Sequence, residues 1–223
     1  DSRTVVDSLS KYIPQYKRNI DYTLLTHPHF DHLGGFLHLV DYYSFDLVIQ
    51  LPINHTSNSY NDWLGYLLDN DVEVSSFYQG DILTIEENLI FRFLWPRKEE
   101  DLLNLSLNNG SIVTMLEYYD LKVLLMGDAE RYVEGELLDF GIDVDASILK
   151  VGHHGSSSST SEEFLKSVSP QVAVISVGKE NKFGHPSEDV ISLLEINGID
   201  VLRTDVLGDI LILSDGKGYW VPK

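Results

Sequence analysis

The sequence predicts an α/β fold in which two mixed sheets are sandwiched between helices. Three observations predict it. Short apolar strands alternate with amphipathic helices along the chain. Two adjacent apolar runs, 111–119 and 121–126, read as a hairpin of buried strands joined at Asp120. No linker rich in Pro, Gly or Ser divides the 223 residues, so they read as one domain, 1–223.

The elements follow in order. Residues 4–13 have the spacing of a helix, stopped at Pro14. Residues 21–26 form a short buried strand. A helix over 33–43 follows the Gly34–Gly35 pair, then a strand over 45–51 and a helix over 59–70. Strands at 72–77, 82–85 and 89–95 come next, with Gly80–Asp81 marking a turn. After the hairpin, a helix spans 129–140 and ends near Gly141. The second half alternates again: strand 146–151, helix 161–168, strand 171–177, helix 187–197, strands 200–204, 209–213 and 218–221. Thr160 and Glu163 have capping-box spacing for the helix at 161. Asn197–Gly198 is the stop of the later helix. The run 155–161 (GSSSSTS) reads as a loose loop.

Composition excludes several classes. With 43% apolar and 11% aromatic residues the chain has enough material for a core, which excludes disorder. It has no cysteine, so disulfides, thiolate zinc sites, iron–sulfur clusters and cysteine nucleophiles are excluded. No apolar run approaches the ~18 residues of a membrane span, and no signal-peptide pattern is visible. The chain opens on Asp1 and is expected to be a fragment, with any targeting segment upstream. The net charge of −19 repels polyanions at long range, so any contact with nucleic acid must be local.

The histidines carry the chemistry. There are eight in the chain, and three fall in the six residues His27-Pro28-His29-Phe30-Asp31-His32. The run follows a strand end, where residues two apart point to one side. His27 and His29 can therefore grip one metal, and Asp31 with His32 a second beside it. Imidazole and carboxylate suit zinc, iron or manganese. Asp128 closes Leu124-Leu125-Met126-Gly127-Asp128, right after the strand 121–126, where a carboxylate could bridge two cations. It could instead N-cap the next helix, but the first motif favours bridging. In Lys150-Val151-Gly152-His153-His154-Gly155-Ser156 one histidine can complete the second metal, and the other can contact a leaving group. His185, in Phe183-Gly184-His185-Pro186, could bind substrate or shuttle a proton. Lys179 and Lys182 in the same loop could supply local positive charge or be merely solvated. His38 and His55 are read as non-ligands.

These residues resemble a known family. THPHFDHLGG is similar to the HxHxDH signature of the metallo-β-lactamase superfamily. NNGSIVTML, LLMGDAE, ILKVGHHGSSSSTSEEFL and SVGKENKFGHP resemble its ComEC-like branch, the hydrolase domain of DNA-internalisation competence proteins. The similarity runs from about residue 1 to 215. It implies an αββα sandwich that lacks its first strands in this chain, with the site at one edge of the sheets. It implies two divalent ions, Zn²⁺ or Mn²⁺, held by His27, His29, Asp31, His32, Asp128 and His154. Asp31, His153 and His185 are then the catalytic residues, the two histidines as phosphate or leaving-group contacts. The sequence departs from many relatives in having Asn108-Asn109-Gly110-Ser111 where they carry a further histidine. The first metal is therefore expected to bind weakly, or to be completed by water or an Asn oxygen.

The expected function is metal-dependent phosphodiester hydrolysis, with single-stranded DNA as substrate in competence-type uptake. A small-ester, lactone or phosphocholine esterase needs the same metals. A catalytically weak DNA-uptake module is the third reading, and the loss of the first-site histidine is its support. No organic cofactor is expected. The resemblance implies an extracytoplasmic, membrane-associated place through a channel partner or a further segment, the chain itself being soluble. The Ser156–Ser161 loop is read as a linker rather than part of a substrate groove.

Overall fold

The computed structural model describes residues 4–14, 16–100 and 102–222. They fall into two compact units, residues 4–77 with 102–107, and residues 78–100 with 108–222.

The first unit carries α1 (Thr4–Tyr12), β1 (Asn19–Leu24), α2 (Phe30–Leu39), β2 (Ser44–Ile49), α3 (Asn58–Asp69) and β3 (Glu73–Ser75). The strands pair in parallel in the order β1-β2-β3, with Leu24 opposite Ile49. Parallel neighbours need crossovers, and α2 and α3 supply them. The core gathers Leu25, Leu33, Phe45, Val48, Trp63 and Leu67. Trp63 is fully buried, and its indole N–H is satisfied by Gln50 Oε1 at 2.8 Å. Phe36 and Tyr66 stack on the same indole.

The helix predicted at 33–43 starts earlier, at Phe30, so Gly34 and Gly35 lie inside it. Packing explains two glycines in a helix, where each costs about 1 kcal/mol against Ala. A Cβ on Gly34 would sit 3.0 Å from the Phe30 ring, and one on Gly35 would sit 3.2 Å from Val5 of α1. The earlier start places Asp31 and His32 in the first turn of α2 rather than on a preceding loop.

The second unit carries β4 (Ile82–Glu86), β5 (Leu89–Trp95), β6 (Val113–Tyr118), β7 (Leu121–Leu125), α4 (Arg131–Asp139), β8 (Ile148–Lys150), α5 (Glu162–Val168), β9 (Val172–Ile175), α6 (Glu188–Ile196), β10 (Asp200–Arg203), α7 (Thr204–Leu207), β11 (Leu213–Ser214) and β12 (Tyr219–Trp220). Seven of its strands, β4 to β10, form one sheet in the order β10-β9-β8-β7-β6-β5-β4. It is mixed, parallel from β10 to β7 and antiparallel from β7 to β4. The predicted hairpin is β6 and β7. The parallel strands β7, β8 and β9 end at one edge, the edge at which α/β sheets gather ligand residues.

Three local predictions are corrected. The strand expected at 209–213 is cut to β11, because the helical turn α7 intervenes. That turn is held by Thr204 Oγ1, which accepts from the Val177 N–H, and by the Arg203–Asp205 ion pair. Thr160 is not the cap of α5. Ser161 is, with its hydroxyl accepting from Phe164 N–H, while Thr160 sits at φ 59°. The run 155–161 is not loose. Ser156, Ser159 and Thr160 are buried, and Ser159 Oγ donates to Gly152 O at 2.8 Å. Among the described residues, no helix is long and apolar enough to cross a membrane.

Candidate metal and catalytic site

The first unit presents His27-Pro28-His29-Phe30-Asp31-His32 directly after β1. His27 is 1% exposed. Its Nε2 lies 3.0 Å from His29 Nδ1. Two nitrogens on one tetrahedral ion, each about 2.0–2.1 Å from it, stand about 3.3 Å apart. The pair is therefore spaced for a shared cation. Thr26 Oγ1 lies 3.1 Å from His27 Nδ1 and 3.4 Å from His32 Nδ1. One hydroxyl oxygen has two lone pairs, so it can accept from both rings at Nδ1, which makes each Nε2 the atom that can face a metal. The His27 and His32 rings are 4.2 Å apart at their centroids. Asp31 and His32 offer donor atoms within 4.8 Å of each other. Four donors thus converge within six residues because a strand end runs straight into a helix start, with His29 at the N-cap position.

The second unit presents its groups at the ends of β7, β8 and β9. Gly127, at φ 57°, turns the chain after β7 so that Asp128 points inward, 2% exposed. The Asp128 N–H donates to Ser111 Oγ at 3.1 Å. The cap of α4 is Glu130, so Asp128 does not serve as a cap. Lys150 at the end of β8 donates to Gly127 O at 2.8 Å and holds that turn.

A short 3₁₀ turn, Gly152–Gly155, carries the paired histidines. Both lie in the left-handed region, His153 at φ 45° and His154 at φ 54°. Such backbone costs about 1–3 kcal/mol per residue and clusters at functional sites. His154 Nδ1 faces Ser176 O at 2.6 Å, and a carbonyl only accepts, so the proton is on Nδ1. His154 Nε2 then faces Asp128 Oδ2 at 3.3 Å. The two atoms are satisfied by a cation between them or by a proton on Nε2. Their separation matches the roughly 3.3 Å of two ligands on one tetrahedral ion.

His153 is built differently. Its Nδ1 lies 3.1 Å from Ser158 Oγ and 3.3 Å from Glu130 Oε1. Ser158 Oγ donates to the same carboxylate at 2.8 Å, and Asn109 Nδ2 donates to its other oxygen at 3.2 Å. His153 Nε2 lies 3.4 Å from Asn108 Nδ2. Asn108 Oδ1 is buried with no hydrogen-bond partner among the described residues. His185 stands edge-on to His153 with centroids 5.4 Å apart. Burial, then the neighbouring His153 and His154, hold its imidazole below the ordinary histidine range, against a weaker pull from Asp128.

His38 lies in the last turn of α2, and His55 packs at a tilt against Tyr60. Sequence reasoning missed Glu130, Asn109 as its partner, and Glu134. Glu134 is buried in α4 and accepts from the N–H groups of Thr160 and Ser161. Glu130 had a signal, since it stands two residues from Asp128; Glu134 had none, because its partners are backbone groups 26 and 27 residues away. A cavity of about 350 Å³ lined by Asp120, Ser147, Gln171, Lys217 and Tyr219 lies at the starts of β7, β8 and β9, the opposite edge of that sheet from His153 and His154.

Residues 11–179 match the description of the metallo-beta-lactamase superfamily. The chain is 34% identical over 194 residues to ComE operon protein 3 of Bacillus subtilis (strain 168), covering 86% of this chain and 24% of that protein. It is 29% identical over 218 residues to competence protein ComA of Neisseria gonorrhoeae, covering 93% of this chain and 28% of that one. The chain thus spans about a quarter of the length of these curated relatives. The crystal structure of CmlA, a diiron beta-hydroxylase from Streptomyces venezuelae, superposes with a TM-score of 0.58 at 14% identity, over 87% of this chain and 45% of that one. That likeness is one of fold.

Proposed function

Because the chain belongs to the metallo-β-lactamase superfamily and is homologous to competence proteins, we propose that it is a metal-dependent phosphodiesterase acting on single-stranded DNA during uptake. The observation that carries the reading is the spacing of donor atoms, 3.0 Å between His27 and His29 and 3.3 Å between Asp128 and His154. We assign His27, His29, Asp31, His32, Asp128 and His154 as ligands of two divalent ions, with Asp128 shared. By the resemblance, the stretch Asn108–Ser111 stands where many relatives have a further histidine, and the buried Asn108 Oδ1, without a hydrogen-bond partner among the described residues, supports an Asn oxygen or a water as the ligand there. Bound divalent ions supply an activated water and neutralise charge building on the phosphoryl oxygens.

The chain's own residues do the rest. Glu130 and Ser158 hold the His153 ring by Nδ1, which leaves Nε2 as the atom that meets substrate. The doubly protonated His153 ring, its charge facing the Glu130 carboxylate, gives its Nε2 proton to the departing oxygen. His185, edge-on to His153, contacts the phosphate beside it. The 223 residues act as one catalytic domain. Zn²⁺ or Mn²⁺ suits the donor set, and the place of action is outside the cytoplasm, beside a membrane channel.

A substrate panel tests the reading: single-stranded DNA, a phosphocholine ester and a lactone, each with Mn²⁺ or Zn²⁺. The expected result is preferred turnover of DNA. Faster turnover of either small ester overturns it in favour of the esterase. Metal binding without turnover of any substrate favours the uptake module.

A further inference from the structure

The loop between β9 and α6 carries more than His185. Phe183 is 81% exposed at its tip. A single exposed aromatic ring needs no explanation by itself, but this one is held in place. Asn181 Oδ1 accepts from the N–H groups of Phe183 and His185 at 3.2 and 3.0 Å. Asn181 Nδ2 donates to Gly178 O and His185 O at 3.1 and 2.7 Å. The Ser187 N–H then ties the loop's end to Gly155 O at 2.9 Å. The backbone on both sides of Phe183 is thus fixed by one side chain.

The ring is also aligned. Phe183 lies nearly parallel to His185, with an 18° angle between planes and 6.0 Å between centroids. His185 in turn contacts His153. A line of rings runs from solvent to the catalytic histidines within this unit. Lys179 and Lys182 are exposed in the same loop, with Glu180 between them.

We propose that Phe183 is a stacking platform for a nucleobase of the substrate strand, one that seats the base beside the phosphate contacted by His185 and His153. The inference rests on the phosphodiester reading and names the part of the substrate that is recognised. A flat base stacks on an exposed ring whatever its sequence identity. Phosphocholine would also favour an aromatic face through its cation, but two exposed lysines against one glutamate give this loop a net positive charge that repels that cation and attracts a phosphate. The lysines also supply the local positive charge that a chain of net charge −19 needs in order to meet a polyanion.

The experiment measures binding of a short single-stranded oligodeoxynucleotide whose phosphodiesters are replaced by phosphorothioates. The protein is the wild type, Phe183→Ala or Phe183→Trp. A second oligonucleotide lacks its bases and keeps its backbone. Phe183→Ala is expected to weaken binding of the base-bearing strand about fivefold to hundredfold. Phe183→Trp should retain it, and neither change should matter for the baseless strand. Equal loss on both strands, no loss with Phe183→Ala, or no binding by the wild type overturns the platform. The two claims fail separately. Metal-dependent DNA cleavage that survives in Phe183→Ala at unchanged KM keeps the phosphodiesterase and removes the platform. Base-dependent binding without any cleavage keeps the platform and removes the phosphodiesterase.

Discussion

Asp128 has the most demanding position of any residue at the site. It is almost fully buried, its backbone is held by Ser111, and its carboxylate faces His154 Nε2. Asp128→Ala should abolish metal-dependent hydrolysis while circular dichroism, and thermal melting in chelator, stay native-like. Full activity in that variant removes the proposed bridging role. His153→Ala should lower kcat about 10²- to 10⁴-fold, the usual worth of a positioned proton donor. Glu130→Ala should lower kcat with little change in KM, because Glu130 acts through the His153 ring. Glu134 gives a prediction on pH. Burial raises its carboxyl above the ordinary value, against backbone N–H groups that favour the charged form. The folded state therefore holds the proton more tightly than the unfolded state. That term lowers stability as pH rises from the unfolded value of 4.5 through the folded one. Glu134→Gln should flatten the stability–pH curve in that window, as read by chemical denaturation at several pH values. The histidines and Asp128 were legible in the sequence because residue type and spacing alone mark ligands. Glu130 was hinted at only by its place two residues after Asp128, and its pairing with Ser158 was not legible, since a turn brings residues 28 apart into contact.

At the scale of elements, the turn bearing His153 and His154 decides the geometry. Both residues are left-handed, and neighbours hold that strain. A Cβ on Gly152 would lie 2.5 Å from Ala129 O, and one on Gly155 would lie 2.7 Å from Pro186 Cβ. Gly152→Ala should therefore destabilise the protein by about 1–3 kcal/mol through overpacking. Metal affinity should fall with it, which titration with Mn²⁺ measures. In the first unit Trp63→Ala should cost about 3–5 kcal/mol, because a buried ring and its bond to Gln50 are lost together. Most strands and helices were legible from apolar period, and β5 falls on its predicted residues. The failures share a cause. Gly34 and Gly35 read as a break but serve close packing, and the serine run read as slack but is braced by buried side chains. Tertiary contact overrode local composition at each.

At the scale of the whole chain, charge and metal are coupled. On the proposed function, a chain at −19 would meet an anionic substrate against long-range repulsion, and two divalent ions would offset only part of that. Bound metal also stabilises the folded state by mass action. The melting temperature should rise with added Mn²⁺ or Zn²⁺ and fall on chelation, and the rise should vanish in Asp128→Ala. An unchanged melting temperature would argue against resident ions. The measurement that tests the account most directly is cleavage of end-labelled single-stranded DNA by the wild type and by Asp128→Ala, with Mn²⁺ or Zn²⁺ and with chelator. The account predicts cleavage by the wild type with metal and none in the other cases. Equal cleavage by the variant, or none by the wild type with metal bound, would contradict it.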